Sequence, residues 1–238
     1  MIHNIAHRGA SAYEPENTLR AFERAIQMGA TMLELDIHLS RDGHPVVIHD
    51  TKVSRTTNGK GYISEMILKQ IKELNAGKGE KVPTLNEVVD LARDRAKLYI
   101  ELKGHRTLSP VLEALNSMSF VDQVIVSSYI PRLIKKAKFL DPTIRTSILI
   151  TWYEEREDDF VERALAVAAD YIHPCWENEI PNPSKLLTTD TISNIRRHGL
   201  GLITWHEERP TELQKLVKLG PDGICTNTPD VLTAILRE

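Results

Sequence analysis

His7, Arg8, Glu34, Asp36 and His49 stand within or at the ends of short apolar runs in the first fifty residues. Glu34 and Asp36 are two residues apart in a strand-like segment. They therefore point to one face, with Cα atoms roughly 6–7 Å apart at about 3.3 Å per residue. Two carboxylates on the inward face of a buried strand repel each other and lose hydration, which raises a carboxylate pKa or costs stability. A cation between them removes both problems. An all-oxygen donor set selects a hard divalent ion, Mg²⁺ or Ca²⁺, with Mn²⁺ also acceptable. The segment from Lys97 to Lys103 repeats the alternation: Leu98, Ile100 and Leu102 share one face, and Tyr99, Glu101 and Lys103 the other. Glu101 becomes a third candidate ligand, and Lys103 a positive charge beside it.

His7-Arg8-Gly9 closes one apolar run, and His49 closes another from Pro45 to Ile48. Imidazole near its ordinary pKa accepts or donates a proton at neutral pH. Two of them suit in-line cleavage of a phosphodiester, one deprotonating the nucleophile and one protonating the leaving alkoxide. The spacing does not say which does which. Arg8 offers a planar fork for phosphate oxygens and Lys103 a compact charge. With the metal they would stabilise charge building on the phosphoryl group.

These residues meet only if their strands are neighbours. Apolar runs predict strands near 3–7, 32–38 (with 45–48), 97–102, 123–127, 144–149, 170–173, 200–204 and 222–225. Amphipathic segments between them predict helices over 18–28, 85–94, 108–117, 131–139, 157–168, 189–198, 211–219 and 229–237. End signals support several: a capping box of Thr84 and Glu87, Thr228-Pro229 as N-cap and first residue, and Gly29 and Gly220 at C-termini. Eight β–α alternations in 238 residues predict an α/β chain folded as a (β/α)₈ TIM barrel, whose C-terminal rim would gather the site. Residues 1–238 read as a single domain. A small insertion after strand 2, at about 50–83, is too long for an ordinary connection. It carries an Asn58-Gly59 turn and a short helical pattern (Ile67, Leu68, Ile71, Leu74) and is expected to stand over the rim.

A net charge of −3 gives no basic surface for nucleic acid, and two cysteines give no disulfide framework. The chain enters a strand almost at once, without a signal segment or a long apolar span. It reads as cytoplasmic, with no membrane span.

At this point a family resemblance is legible. It is carried by His7-Arg8-Gly9, Pro15-Glu16-Asn17-Thr18, Glu34-Leu35-Asp36, His49-Asp50, Arg55-Thr56-Thr57-Asn58-Gly59, Pro83-Thr84-Leu85 and Glu101-Leu102-Lys103. It continues through Val126-Ser127-Ser128-Tyr129, Thr204-Trp205 and Asp222-Gly223-Ile224. Order and spacing together make the chain resemble the glycerophosphodiester phosphodiesterase family over nearly its whole length. The resemblance implies a barrel, a divalent metal on Glu34, Asp36 and Glu101, and His7 and His49 as acid and base. It also implies a small-molecule substrate, a glycerophosphodiester hydrolysed to sn-glycerol 3-phosphate and an alcohol. Two departures stand out. Asn227 takes the place of a common aspartate, and His206-Glu207-Glu208 follow Trp205 where the family has Thr-Val-Asn. Both are expected to touch the substrate rather than the metal.

Supporting residues carry two readings each. Asn17 is either the N-cap of a helix beginning at Thr18 or a site residue. Glu16 is expected to reach the metal or its waters. Trp205 lines a glycerol pocket or completes the core, and Trp176 follows it more weakly. His3, His38, His44, His105, His173, His198 and His206 lack any comparable grouping and read as structural or surface residues. Two rival functions remain at this stage. One is lysophospholipase D chemistry on lipid diesters, which calls for an apolar groove that no amphipathic stretch supplies. The other is a barrel that binds glycerophosphodiesters without cleaving them, which has no need of a paired histidine set.

Overall fold

Alternating apolar positions decide which face each strand buries, and here they close a sheet on itself. The computed structural model describes residues 2–151, 157–176 and 187–238. Eight parallel strands form the closed barrel: β1 (His3–Ala6), β2 (Met32–Leu39), β4 (Lys97–Leu102), β5 (Val124–Ser128), β6 (Arg145–Thr151), β7 (Tyr171–Cys175), β8 (Gly201–Thr204) and β9 (Gly223–Thr226). Pairing of β1 with both β2 and β9 completes the closure. The helices between them are α1 (Leu19–Gln27), α3 (Leu85–Ala92), α4 (Leu108–Ser117), α5 (Pro131–Leu140), α6 (Glu157–Ala166), α7 (Thr189–Arg197), α8 (Pro210–Leu219) and α9 (Pro229–Leu236). The (β/α)₈ TIM barrel read from the sequence is the fold observed.

Two layers of apolar residues follow from the period of two. Leu33, Leu35 and Ile37 of β2 and Leu98, Ile100 and Leu102 of β4 face outward into a core shared with α1, α3 and α4. A second core of the same kind lies around β6–β9 and their helices. Ile5, Met32, Tyr99, Ile125, Ile203 and Cys225 form a separate cluster. Met32 thus sits on the same side of β2 as Glu34 and Asp36, and Tyr99 on the same side of β4 as Glu101.

One strand is not part of the barrel. After Leu39 the chain turns back through Ser40–His44, and β3 (Pro45–Val47) pairs antiparallel with the end of β2. This return brings Ile48 alongside Asp36, whose carbonyl accepts the Ile48 N–H at 2.9 Å. His49 thus reaches the level of the buried carboxylates by running back down from the rim. Beyond it lie two 3₁₀ turns, Val53–Arg55 and Ile63–Glu65, and α2 (Leu68–Glu73). Val46, Ile48, Val53, Ile63, Ile71, Ala76 and Val82 form a small core of their own there.

Capping explains where several helices start and stop. Thr84 and Glu87 exchange the two bonds of a capping box at α3, and Gly220 ends α8 in the left-handed conformation. Thr228 stands before Pro229 as expected, but its hydroxyl lies 3.1 Å from Thr226 Oγ1 and does not cap the helix. The N-cap of α1 is Thr18, whose Oγ1 accepts the Ala21 N–H at 3.2 Å. Asn17 is therefore not the cap; it adopts a left-handed φ of +56° one residue earlier.

Gly9 fixes the exit from β1. Its φ is +82°, and a Cβ there would come within 2.6 Å of the Ala21 backbone. Gly9→Ala is expected to cost about 1–3 kcal/mol, read as a lower urea midpoint with an unchanged slope. A midpoint equal to that of the parent protein would overturn the close approach as the reason for glycine.

Candidate active site

The register of β2 against β4 sets Asp36 directly beside Glu101. Glu34, one side-chain repeat below Asp36, completes a group whose oxygens lie within 4.8 Å of one another. All three residues are buried. Positive charge surrounds them. Lys103 Nζ is 3.0 Å from Asp36 Oδ1 and 2.7 Å from Glu101 Oε1. Arg8 Nε is 3.3 Å from Asp36 Oδ2, and the Arg8 backbone N–H donates to Glu34 Oε2 at 2.8 Å. Asn17 Nδ2 donates to Asp36 Oδ2 at 2.8 Å. Arg8, like Asn17, holds a left-handed φ, +57°. Two non-glycine residues in that region at one site amount to local strain held by the surrounding bonds.

Burial and charge pull these carboxyls apart. Burial and the neighbouring Asp36 push Glu34 well above the usual carboxylate range. Burial pushes Glu101 up to about 7, against the opposing pull of Lys103. Burial also works against ionised Asp36, but Lys103 and Arg8 outweigh it and hold that carboxyl well below its ordinary value. Asp36 Oδ1 makes no aligned hydrogen bond although Lys103 is close. Three buried, all-oxygen donors, with one oxygen lacking a hydrogen-bond partner, fit a hard divalent cation.

The two histidines are backed differently. His7 Nδ1 lies 2.7 Å from Asn227 Oδ1. Its ring stacks on His206 with centroids 4.5 Å apart and planes at 12°, and Trp205 packs against it at 5.4 Å. Burial, then the charges of His206 and Arg8, hold His7 well below the ordinary imidazole pKa. His49 Nδ1 lies 2.7 Å from Asp50 Oδ1. Arg55 from the insertion grips that carboxylate through Nε at 2.7 Å and Nη2 at 3.0 Å. Burial lowers the His49 pKa as well, with Asp36 opposing.

Glu16 does not turn toward the three carboxylates. Arg55 donates to its two oxygens at 2.7 and 2.8 Å, and Arg8 Nη1 donates to Oε1 at 3.0 Å. Opposite charge draws it to the guanidiniums, whereas the carboxylate group would repel it. Trp205 stands between His7 and His173, 5.4 Å from each ring. Trp176 is buried in the core around β6–β9.

Asn227, His206 and Asp50 contact the two histidines, and Arg55 backs Asp50, without having been singled out for those roles. The departures from the family pattern flagged Asn227 and His206, but for substrate contact. Among the histidines read as structural, His173 Nδ1 meets the buried Tyr99 hydroxyl at 2.7 Å, and His38 Nε2 lies 3.0 Å from the His49 carbonyl. A cavity of about 420 Å³ lined by Arg145, Asp170, Tyr171, Arg196 and Asp222 opens at the opposite, N-terminal end of the strands. It is remote from this chemistry.

The chain is similar to known proteins over nearly its whole length. The sequence profile of the Glycerophosphoryl diester phosphodiesterase family matches residues 7–231. A glycerophosphodiester phosphodiesterase of Caldanaerobacter subterraneus subsp. tengcongensis is 36% identical over 98% of this chain and 97% of its own. The crystal structure of a glycerophosphodiester phosphodiesterase from Agrobacterium tumefaciens superposes with a TM-score of 0.86 at 27% identity, over 98% of this chain and 100% of that one. An Oleispira antarctica phosphodiesterase in complex with the product sn-glycerol-3-phosphate gives a TM-score of 0.86 at 27% identity, covering 98% of this chain and 96% of that one.

The raised Glu101 carboxyl sets a pH dependence. Without metal, the folded state holds a proton up to about pH 7 that the unfolded chain releases near 4.5. This group's contribution to stability is therefore full below the unfolded value and is lost as pH rises through that window. Burial of His7 and His49 acts in the opposite sense, so the Glu101 part is read as a difference between proteins. On going from pH 5 to pH 7.5, the melting point of metal-free parent protein should change less favourably than that of Glu101→Gln. Mg²⁺, Ca²⁺ or Mn²⁺ should raise the parent's melting point at pH 7.5. Equal pH differences in the two proteins, with no response to any of the three ions, would remove the site.

Proposed function

Because the chain belongs to the glycerophosphoryl diester phosphodiesterase family, we propose that it releases sn-glycerol 3-phosphate from small glycerophosphodiesters. Glycerophosphocholine and glycerophosphoethanolamine are the substrates to expect, each yielding its alcohol. Membership makes the chain a hydrolase of phosphodiester bonds, so the reading as a non-catalytic binding barrel falls away. The observation that carries the finer reading is the buried carboxylate group flanked by Arg8 and Lys103. The product bound to the Oleispira antarctica phosphodiesterase supports the glycerol 3-phosphate half of the substrate.

Glu34, Asp36 and Glu101 would hold a divalent ion, which supplies Lewis acidity toward the phosphoryl oxygens. Arg8 and Lys103 bind and orient the diester and offset the charge that builds on it. One imidazole takes the proton of the nucleophile, either water or the glycerol 2-hydroxyl. Attack by the hydroxyl would give a cyclic phosphate that water then opens. The other imidazole protonates the departing alkoxide.

In this reading residues 1–238 act as a single unit, and the insertion at about 50–83 serves the site through Arg55, which ties it to Asp50 and Glu16. Cytoplasmic location belongs to the same reading, supported by two buried cysteines carrying free thiols. Among the described residues no helix is long and apolar enough to cross a membrane.

The test is release of the alcohol, choline or ethanolamine, from glycerophosphocholine, glycerophosphoethanolamine and a lysophospholipid, in EDTA and then with each metal. The accompanying phosphate product is glycerol 3-phosphate for the first two and lysophosphatidic acid for the third. Turnover of the water-soluble diesters only with metal is expected. His7→Ala and His49→Ala should each lower kcat by about 10²–10⁴-fold in folded protein. Near-normal turnover by either variant would sink its part in proton transfer, and preference for the lipid would move the substrate class.

A further inference from the structure

His7 is held by a side chain that carries no charge, and the consequences of that are specific to this chain. Asn227 follows β9, the neighbour of β1 across the barrel seam, where the His7 N–H donates to the Thr226 carbonyl at 2.9 Å. The Ala12 N–H donates to the Asn227 carbonyl at 3.2 Å, tying the two loops together. Ser11 Oγ stands 2.7 Å from Asn227 Oδ1 and 2.8 Å from the His7 carbonyl. On the far side, the amide nitrogen is 3.5 Å from His206 Nδ1, too long for a strong bond. His206 Nδ1 is itself committed to Glu208 Oε1 at 3.0 Å. The His7 ring is thus pinned on one edge by the amide and on one face by the stacked His206.

An amide oxygen only accepts hydrogen bonds. Facing Oδ1 at 2.7 Å, His7 Nδ1 must carry the ring's proton, which leaves the lone pair on Nε2. We infer that Asn227 is a positioning residue that fixes this tautomer and so presents His7 to the reaction as a proton acceptor through Nε2. This rests on the reading of His7 as a proton-transfer group. The neutral amide also lacks the negative charge that would favour a standing imidazolium. His49 has a carboxylate beside it, Asp50, whose charge Arg55 partly offsets. The two rings are therefore unequal, and the proton balance follows. The proton of the attacking O–H passes to His7 Nε2 while its oxygen forms the new P–O bond. The old P–O bond breaks toward the alkoxide, which takes its proton from His49.

The decisive experiment needs no variant that risks misfolding. Protein with ¹⁵N-labelled histidine is studied by two-bond ¹H–¹⁵N correlation at a pH where His7 is neutral, its signals assigned by their disappearance in His7→Gln. A protonated Nδ1 with an unprotonated Nε2 is expected. A protonated Nε2 would mean that the amide donates to the ring, and would overturn the inference. Asn227→Leu should lose the single tautomer and lower kcat by about 10–100-fold with KM little changed, and Asn227→Asp, which keeps an acceptor, should restore the tautomer. An Asn227→Leu protein with tautomer and kcat both unchanged would also overturn it. Failure of the underlying reading looks different: turnover surviving in His7→Gln would remove His7 from the chemistry, whatever the tautomer.

Discussion

Three carboxylates buried at one end of a barrel are the constraint to which the surrounding structure answers. Ionised together and unpaired, they would make the fold unaffordable. Lys103 and Arg8 lie against them, and Asn17 adds a neutral donor. Even with this help two of the three carboxyls are pushed toward the protonated form. The arrangement is therefore one electrostatic unit in which removing any member changes the charge state of the rest. The left-handed backbone at Arg8 and Asn17 belongs to the same unit, because it delivers an N–H and an amide to Glu34 and Asp36.

A second ring of charge lies outside the first. Arg55 grips Asp50 and Glu16 at once, Asp50 meets His49, and Glu16 meets Arg8. Acid and base partners thus alternate from the insertion to the buried carboxylates. On the opposite side of the site the support for His7 is aromatic and amide in character, from His206, Trp205 and Asn227. One of the two histidines is held by ionic contacts and the other by stacking and a neutral hydrogen bond.

Much of this was legible in the sequence because strands announce themselves by a period of two. The alternation over 32–39 and 97–103 gave both the outward core and the inward carboxylates, and the resemblance supplied their company. What escaped notice were partners joined by closure. Asn227 and His7 are separated by 220 positions, and a barrel prediction makes their strands neighbours without saying which loop atoms meet. Asn17 was ambiguous for a local reason: Asn and Thr are both good caps, and the helix begins after the second of them. Glu16 was sent toward a cation and found two, both guanidiniums. The antiparallel return of β3, which carries His49 back from the rim, is signalled locally by Asp42-Gly43 between two apolar runs, but the pair does not say how far back along β2 the chain returns.

That return has a further consequence. β3 lies outside the closed ring of eight strands: it pairs with the end of β2, sends Val46 and Ile48 into the small apolar cluster of the insertion, and Val47 into the core shared with α3. A cluster of this size can open with far less free energy than the barrel needs to unfold. His49 would leave with it, while the carboxylates and His7 stay on barrel strands or directly beyond them. The two histidines thus stand on unequal supports, His7 at the barrel seam and His49 on a strand outside the ring. On the proposed reading, undoing that outer clasp would remove one of them while leaving the barrel folded, so activity would be lost to heat or denaturant before the fold is.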